Sequence, residues 1–300
     1  MYKIIVTAML LLLSGNALAC DICGCSAGGN YFGILPKFQQ NFAGVRYQYR
    51  SFESRAHESI SENGQASMEY FQTTELWGRY VLNKRLQMFA FLPFNRNKRV
   101  EDTKTTVVSS LGDITAIANF VIINSDSSCK RYKHLLQIGG GIKTPTGKHE
   151  IIRNGIMLNQ NIQPGTGSFD FPINAIYALR HKQIGFNTEM GYTFNSPNNQ
   201  HFQFGNRFSI VARIFYWKKF KQTILLPSIG MAFEKTKNDL ISSIKQDYTG
   251  GEIVLANVGF DMYYKNISLG ITYKKPMTES IGGGYISNRQ RLSANFIYLF

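Results

Sequence analysis

Apolar and polar side chains alternate one by one along most of the chain from residue 41 to the end. Period-two alternation marks a strand whose two faces meet different surroundings, because successive side chains point to opposite sides. The final segment has the pattern plainly: Leu292, Ala294, Phe296, Tyr298 and Phe300 share one face, and Arg291, Ser293 and Asn295 share the other. Residues 41–52, 112–123, 135–144, 168–179, 184–194, 204–216, 223–233, 254–264 and 267–275 repeat it. In residues 74–82, Trp77 joins Glu75 and Arg79 on the polar face. Residues 86–94 are apolar on both faces, so their orientation stays open. The segments number about twelve and most run about 9–11 residues, the length a tilted strand needs to cross a bilayer. The expected fold is all-β: an antiparallel transmembrane β-barrel of about twelve strands, apolar face to lipid and polar face to lumen.

The connections sharpen this expectation. Residues 53–73, 95–111, 145–167, 195–203, 234–253 and 276–291 read as long links, and they alternate with short links at 83–85, 124–134, 180–183, 217–222 and 265–266. Long outer loops alternating with short periplasmic turns are the asymmetry of an outer-membrane barrel, and a soluble sandwich has no reason to reproduce it. An even strand number places both chain ends on the periplasmic side.

The first residues add an address. Lys3, the apolar run 4–13 and Ala17-Leu18-Ala19 make a secretory signal over residues 1–19, too short to span a bilayer. The expected division is therefore signal peptide 1–19, a cysteine-bearing periplasmic segment 20–40, and a barrel over 41–300 in the cell outer membrane. The chain carries a formal charge of +14. Its cations look scattered along the sequence and no nucleic-acid motif accompanies them, so nucleic acid is not an expected partner. Membrane lipid, anionic lipopolysaccharide and a small-molecule solute are.

Facing the lumen by parity are Arg46, Arg50, Arg79, Lys143, Arg207, Arg213 and Lys274, mixed with Asp113, Asp170, Glu189 and Asp261. Such charges either line a path or pair and fill the lumen, and a barrel of about twelve strands lies between the filled and the open sizes.

Local chemistry is confined to cysteines. Cys20, Cys23 and Cys25 are closely spaced, and Cys129 falls in a link expected on the same side of the membrane. Disulfides suit an exported protein, and copper or zinc at Cys20, Cys23 and Cys25 is the competing chemistry. Cys20, directly after Ala17-Leu18-Ala19, is also open to lipidation. No other cofactor is expected. His57, His134, His149, His181 and His201 are dispersed, and neither H-E-x-x-H nor G-x-S-x-G occurs, so an enzyme is not expected.

Two resemblances add to this reading. The closing strand, ending in Phe300, resembles the last strand of bacterial outer-membrane barrels, which implies the barrel-assembly machinery as a partner. Residues 111–194 carry Leu111-Gly112-Asp113-Ile114, then Gly139-Gly140-Gly141-Ile142-Lys143-Thr144-Pro145-Thr146-Gly147, then Gly165-Thr166-Gly167-Ser168 and Gly191-Tyr192-Thr193. That order resembles the meta-pathway phenol-degradation group of outer-membrane barrels, relatives in fold of the long-chain fatty-acid transporters. The resemblance implies passage of small hydrophobic or aromatic solutes. A metal-handling barrel and a structural barrel with a plugged lumen are the alternatives.

Overall fold

The computed structural model describes residues 40–55, 66–102, 104–125, 132–153 and 155–300. Twelve long antiparallel strands form a closed barrel. They are β1 Phe42–Ser54, β2 Ser67–Val81, β3 Leu86–Glu101, β4 Thr115–Asn124, β5 Tyr132–Lys143, β6 Phe171–His181, β7 Ile184–Phe194, β8 Arg207–Tyr216, β9 Thr223–Thr236, β10 Gly251–Tyr264, β11 Ile267–Ile281 and β12 Ile286–Leu299. Each pairs with the next, and β12 pairs with β1 from Phe42↔Leu299 to Ser54↔Ile286, so no edge is left. Closure satisfies the backbone polar groups from strand to strand, which hydrocarbon requires.

Side chains divide by parity. Val45, Leu76, Met88, Phe120, Ile138, Ile173, Phe186, Ile214, Ile229, Val258, Ile271 and Phe296, one from every strand in turn, are exposed on the outer surface. An unbroken exposed apolar belt of this kind belongs in lipid. The open orientation of β3 resolves with Phe89 and Phe91 buried inside and Met88 outside. A bulge between Val121 and Ile123 in β4 shifts the register, which leaves Ile122 and Ile123 both outward.

The strands are longer than expected: two links read as long are mostly strand, and a third gives up its last residues to a strand. Residues 67–73 belong to β2 and 95–101 to β3, while a short strand Thr105–Leu111 pairs with upper β3 before the chain enters β4. Residues 276–281 belong to β11 and 286–291 to β12, joined by a turn in which Gly282, Gly283 and Gly284 have φ of 55, 68 and 91 degrees. The reason is physical. Above the lipid both faces are wet, as at Gln72, Arg96 and Lys98, so hydrophobic contrast fades while the hydrogen-bonded ladder continues.

Two groups of outer connections fold over the mouth. In residues 144–170, Leu158 and Ile162 are buried against Val108. Asn97 Nδ2 donates to the Ile162 carbonyl at 2.9 Å, and Asn95 Nδ2 to that of Pro164 at 3.0 Å. In the second, Phe202–Gln203, Leu240–Ile241 and Ile244–Lys245 make a small sheet over a buried Phe202–Phe204 pair.

Candidate functional site in the lumen

All eleven charged residues assigned to the lumen by parity face the interior, where they sort into three levels. At the outer level, Asp113, Lys143 and Asp170 anchor a loop. Asp113 accepts from the Gly147 amide at 2.9 Å, the Thr166 amide at 2.9 Å and the Thr166 hydroxyl at 2.7 Å. Asp170 accepts from the Ser168 hydroxyl and the Ser196 amide, both at 3.0 Å. Lys143 pairs with Asp170 and lies 3.6 Å from Asp113. Charge-assisted bonds to backbone amides hold firmly in a poorly hydrated setting. They fix residues 144–170 inside the mouth. Asn198 Nδ2 donates to the Thr166 carbonyl at 3.2 Å and joins the second loop to the first.

The middle level is ionic. Glu234 accepts from Arg207 at 2.7 Å and from Arg291 at 2.8 and 2.9 Å. Arg213 donates at 3.0 Å to both Glu189 and Asn187, and Asp261 lies beside Arg213. Strand register sets Asn187, Arg213, Gly230, Asn257, Lys274, Arg291 and Arg50 in one row across β7 to β12 and β1. On the far wall Arg46 pairs with Glu75, and Arg99 with Glu69 at 3.2 Å and Glu101 at 2.9 Å.

The inner level is an aromatic and aliphatic collar. Phe42, Trp77, Phe89, Phe91, Ile117, Ile176, Phe215, Leu226, Tyr263, Ile297 and Leu299 form one buried cluster drawn from nine strands. Leu226 is 0% and Phe91 1% exposed, so solvent does not reach the wall here. Two arginines cap the aromatic faces. Arg46 lies 4.8 Å over Trp77 and Arg79 5.1 Å over Phe42, where a ring quadrupole attracts a cation.

Below the collar the short turns gather positive charge that looks scattered in sequence. Lys84, Arg85, Lys182, Lys218, Lys219, Lys221 and Lys265 are exposed at the barrel's lower rim, and no Asp or Glu falls in these turns among the described residues. Arg180 stacks over Trp217 at 4.0 Å.

Sequence reasoning passed over Glu69, Arg99 and Glu234 as lumen sites, and put Arg291 on the polar face of the closing strand without naming it among the lumen charges. Glu234 was assigned to a link, whereas β9 continues through it to Thr236. The collar had one legible signal, the large apolar Trp77 among polar positions. Cys20, Cys23, Cys25 and Cys129, and the signal segment, lie outside the described residues. Among the described residues no cluster of His, Cys, Asp or Glu is arranged to hold a metal. In the outer loops Asp239 is buried and accepts from the Gly205 amide at 2.7 Å. Burial pushes its carboxyl up to about 7, against the smaller downward pull of that bond.

Closed ladder, lipid belt and polar interior define the class: a twelve-stranded β-barrel of the outer membrane. Solved structures agree. The chain is similar to the COG4313 outer membrane channel from Pseudomonas putida F1, at 17% identity and a TM-score of 0.66 over 91% of this chain and 99% of that one. It is also similar to the translocator domain of the autotransporter NalP from Neisseria meningitidis, at 9% identity and a TM-score of 0.50, covering 88% and 90%. The beta domain of the Bordetella autotransporter BrkA follows, at 10% identity and a TM-score of 0.49, covering 87% and 100%. Neither a family model nor a curated protein matches the sequence.

Proposed function

We propose that the protein is a channel for passive passage of small solutes across the outer membrane, through the lumen from the loop-covered mouth to the basic rim. The observation that carries this reading is the layered interior, in which an ionic, hydrogen-bonding middle stands above an aromatic collar. A purely structural barrel needs no such zoning. A flat solute that passes the collar packs among Phe42, Trp77, Phe89, Phe91 and Phe215, which part to admit it. The resemblance of residues 111–194 to the phenol-degradation group supports the same choice of small aromatic cargo.

Purified protein in liposomes tests it. Bilayer-impermeant solutes of phenol size should enter proteoliposomes faster than empty vesicles, and equal rates would overturn the channel. A plugged structural barrel is favoured by one observation, the inaccessibility of the collar. The wild-type protein separates the two readings: a channel conducts with the collar intact, and a barrel plugged by the collar conducts only in the double variant Trp77→Ala, Phe91→Ala.

A further inference from the structure

We propose that the row from Asn187 to Arg50 is a binding track for small organic oxyanions, carboxylates above all, which makes the channel anion-selective. This rests on the channel reading and assigns its solute a charge. The first observation is that like charges stand directly opposite one another. Arg50 is the cross-strand partner of Arg291, and Arg291 that of Lys274. Cationic residues facing each other across a ladder destabilise a sheet, and alternatives at these positions are plentiful. Around them Arg50, Arg207, Arg213, Lys274 and Arg291 face Glu189, Glu234 and Asp261, a surplus of positive charge on this wall among the described residues.

The second observation is independent of charge. Asn257, register partner of Lys274 and of Gly230, is 1% exposed, and neither its amide nitrogen nor its amide oxygen has a hydrogen-bond partner among the described residues. A buried amide left this way loses the hydrogen bonds it had in water, so the position calls for a visiting polar group. Gly230 beside it carries no side chain, and a Cβ there would lie 2.1 Å from the Ala212 carbonyl oxygen and 2.6 Å from Arg213 Cγ, so Arg213 packs directly over this glycine. Asn257 therefore lies along the row between the Arg213 stem and Lys274. A carboxylate drawn to Asn257 takes an N–H from the amide and charge-assisted bonds from the flanking cations. Arg213 keeps its bonds to Glu189 and Asn187, because a guanidinium has five N–H donors. A solute cation meets repulsion along the same row. The loops over the mouth restrict the occupant to small molecules.

The experiment uses the full barrel in planar bilayers and liposomes, with three probes of similar size: benzoate, phenol and benzylammonium. Under a potassium chloride gradient the reversal potential should lie on the anion-selective side, and benzoate should outpace benzylammonium. Fields focused in a low-dielectric cleft raise local counter-ion concentration by about tenfold or more, so a preference of about that size is expected. Lys274→Gln and Arg50→Gln should shift the reversal potential toward zero and cut benzoate entry. Current without charge preference, or faster benzylammonium, would overturn the track and leave the channel standing. Absence of current, with no probe entering faster than it enters protein-free vesicles, would overturn the channel, and the track with it. The wild-type reversal potential decides the point even where a variant fails to assemble.

Discussion

Trp77 and Ile229 illustrate how far single residues reveal their surroundings. Trp77 is a large apolar side chain at an inward position, and its neighbours in the collar explain it. Ile229, on the outer face of β9, and Ile244, in an outer loop, are both exposed, but only Ile229 meets lipid in the barrel placement. Ile229→Arg should cost about 2–4 kcal/mol of folding stability in vesicles, the range for Arg at a bilayer midplane. Ile244→Arg should leave stability unchanged. Urea titration of folding into lipid reads both, and equal effects would contradict the placement of the belt. Parity alone made the facing of Arg46, Glu189 or Asp261 legible, because side chains alternate. Their partners were not legible, since Arg207 and Glu234 meet only after β8 and β9 are paired in register.

The elements that sequence reading found least well were the loops and the upper strand ends. Strand contrast depends on lipid outside and polar groups inside, so it disappears where both sides are wet. Residues 145–167 were legible as a link, but their inward fold was not, because it hangs on Asp113 and Asp170, distant from most of that link in sequence. Asp113→Asn weakens three bonds at once. It should speed protease cleavage within residues 144–170 and enlarge single-channel current, with the barrel itself intact by heat-modified gel mobility. The other loop pair responds to pH through Asp239. An unfolded aspartate titrates near 4, and this one is raised to about 7 by burial. The packed loop therefore binds the proton more tightly than the opened loop. Its stability is greatest below about pH 4, declines as pH rises toward about 7, and is flat above that. Protection factors for amide exchange in residues 237–250, taken relative to the base-catalysed intrinsic rates, should accordingly be lower at pH 8 than at pH 5, and Asp239→Asn should remove that difference.

At the scale of the whole molecule, strand count, closure and membrane placement followed from the spacing of apolar residues, because a barrel repeats one rule in every strand. Charge distribution did not follow, because cations distant in sequence converge when turns are stacked at one end. Lys84, Arg85, Lys182, Lys218, Lys219, Lys221 and Lys265 ring the lower rim, while the outer end mixes signs, as in the Lys235–Glu252 and Arg289–Glu53 pairs. A conduit with fixed charge of one sign at one opening behaves as a diode. Anions accumulate in the charged opening under one polarity and are depleted from it under the other, so current–voltage curves in symmetric solution should bend. The asymmetry should be largest in dilute electrolyte, where the Debye length is about 30 Å at 0.01 M, and should flatten near 1 M, where it is about 3 Å. For a protein inserted in one orientation, the direction of the bend reports which opening faces which chamber.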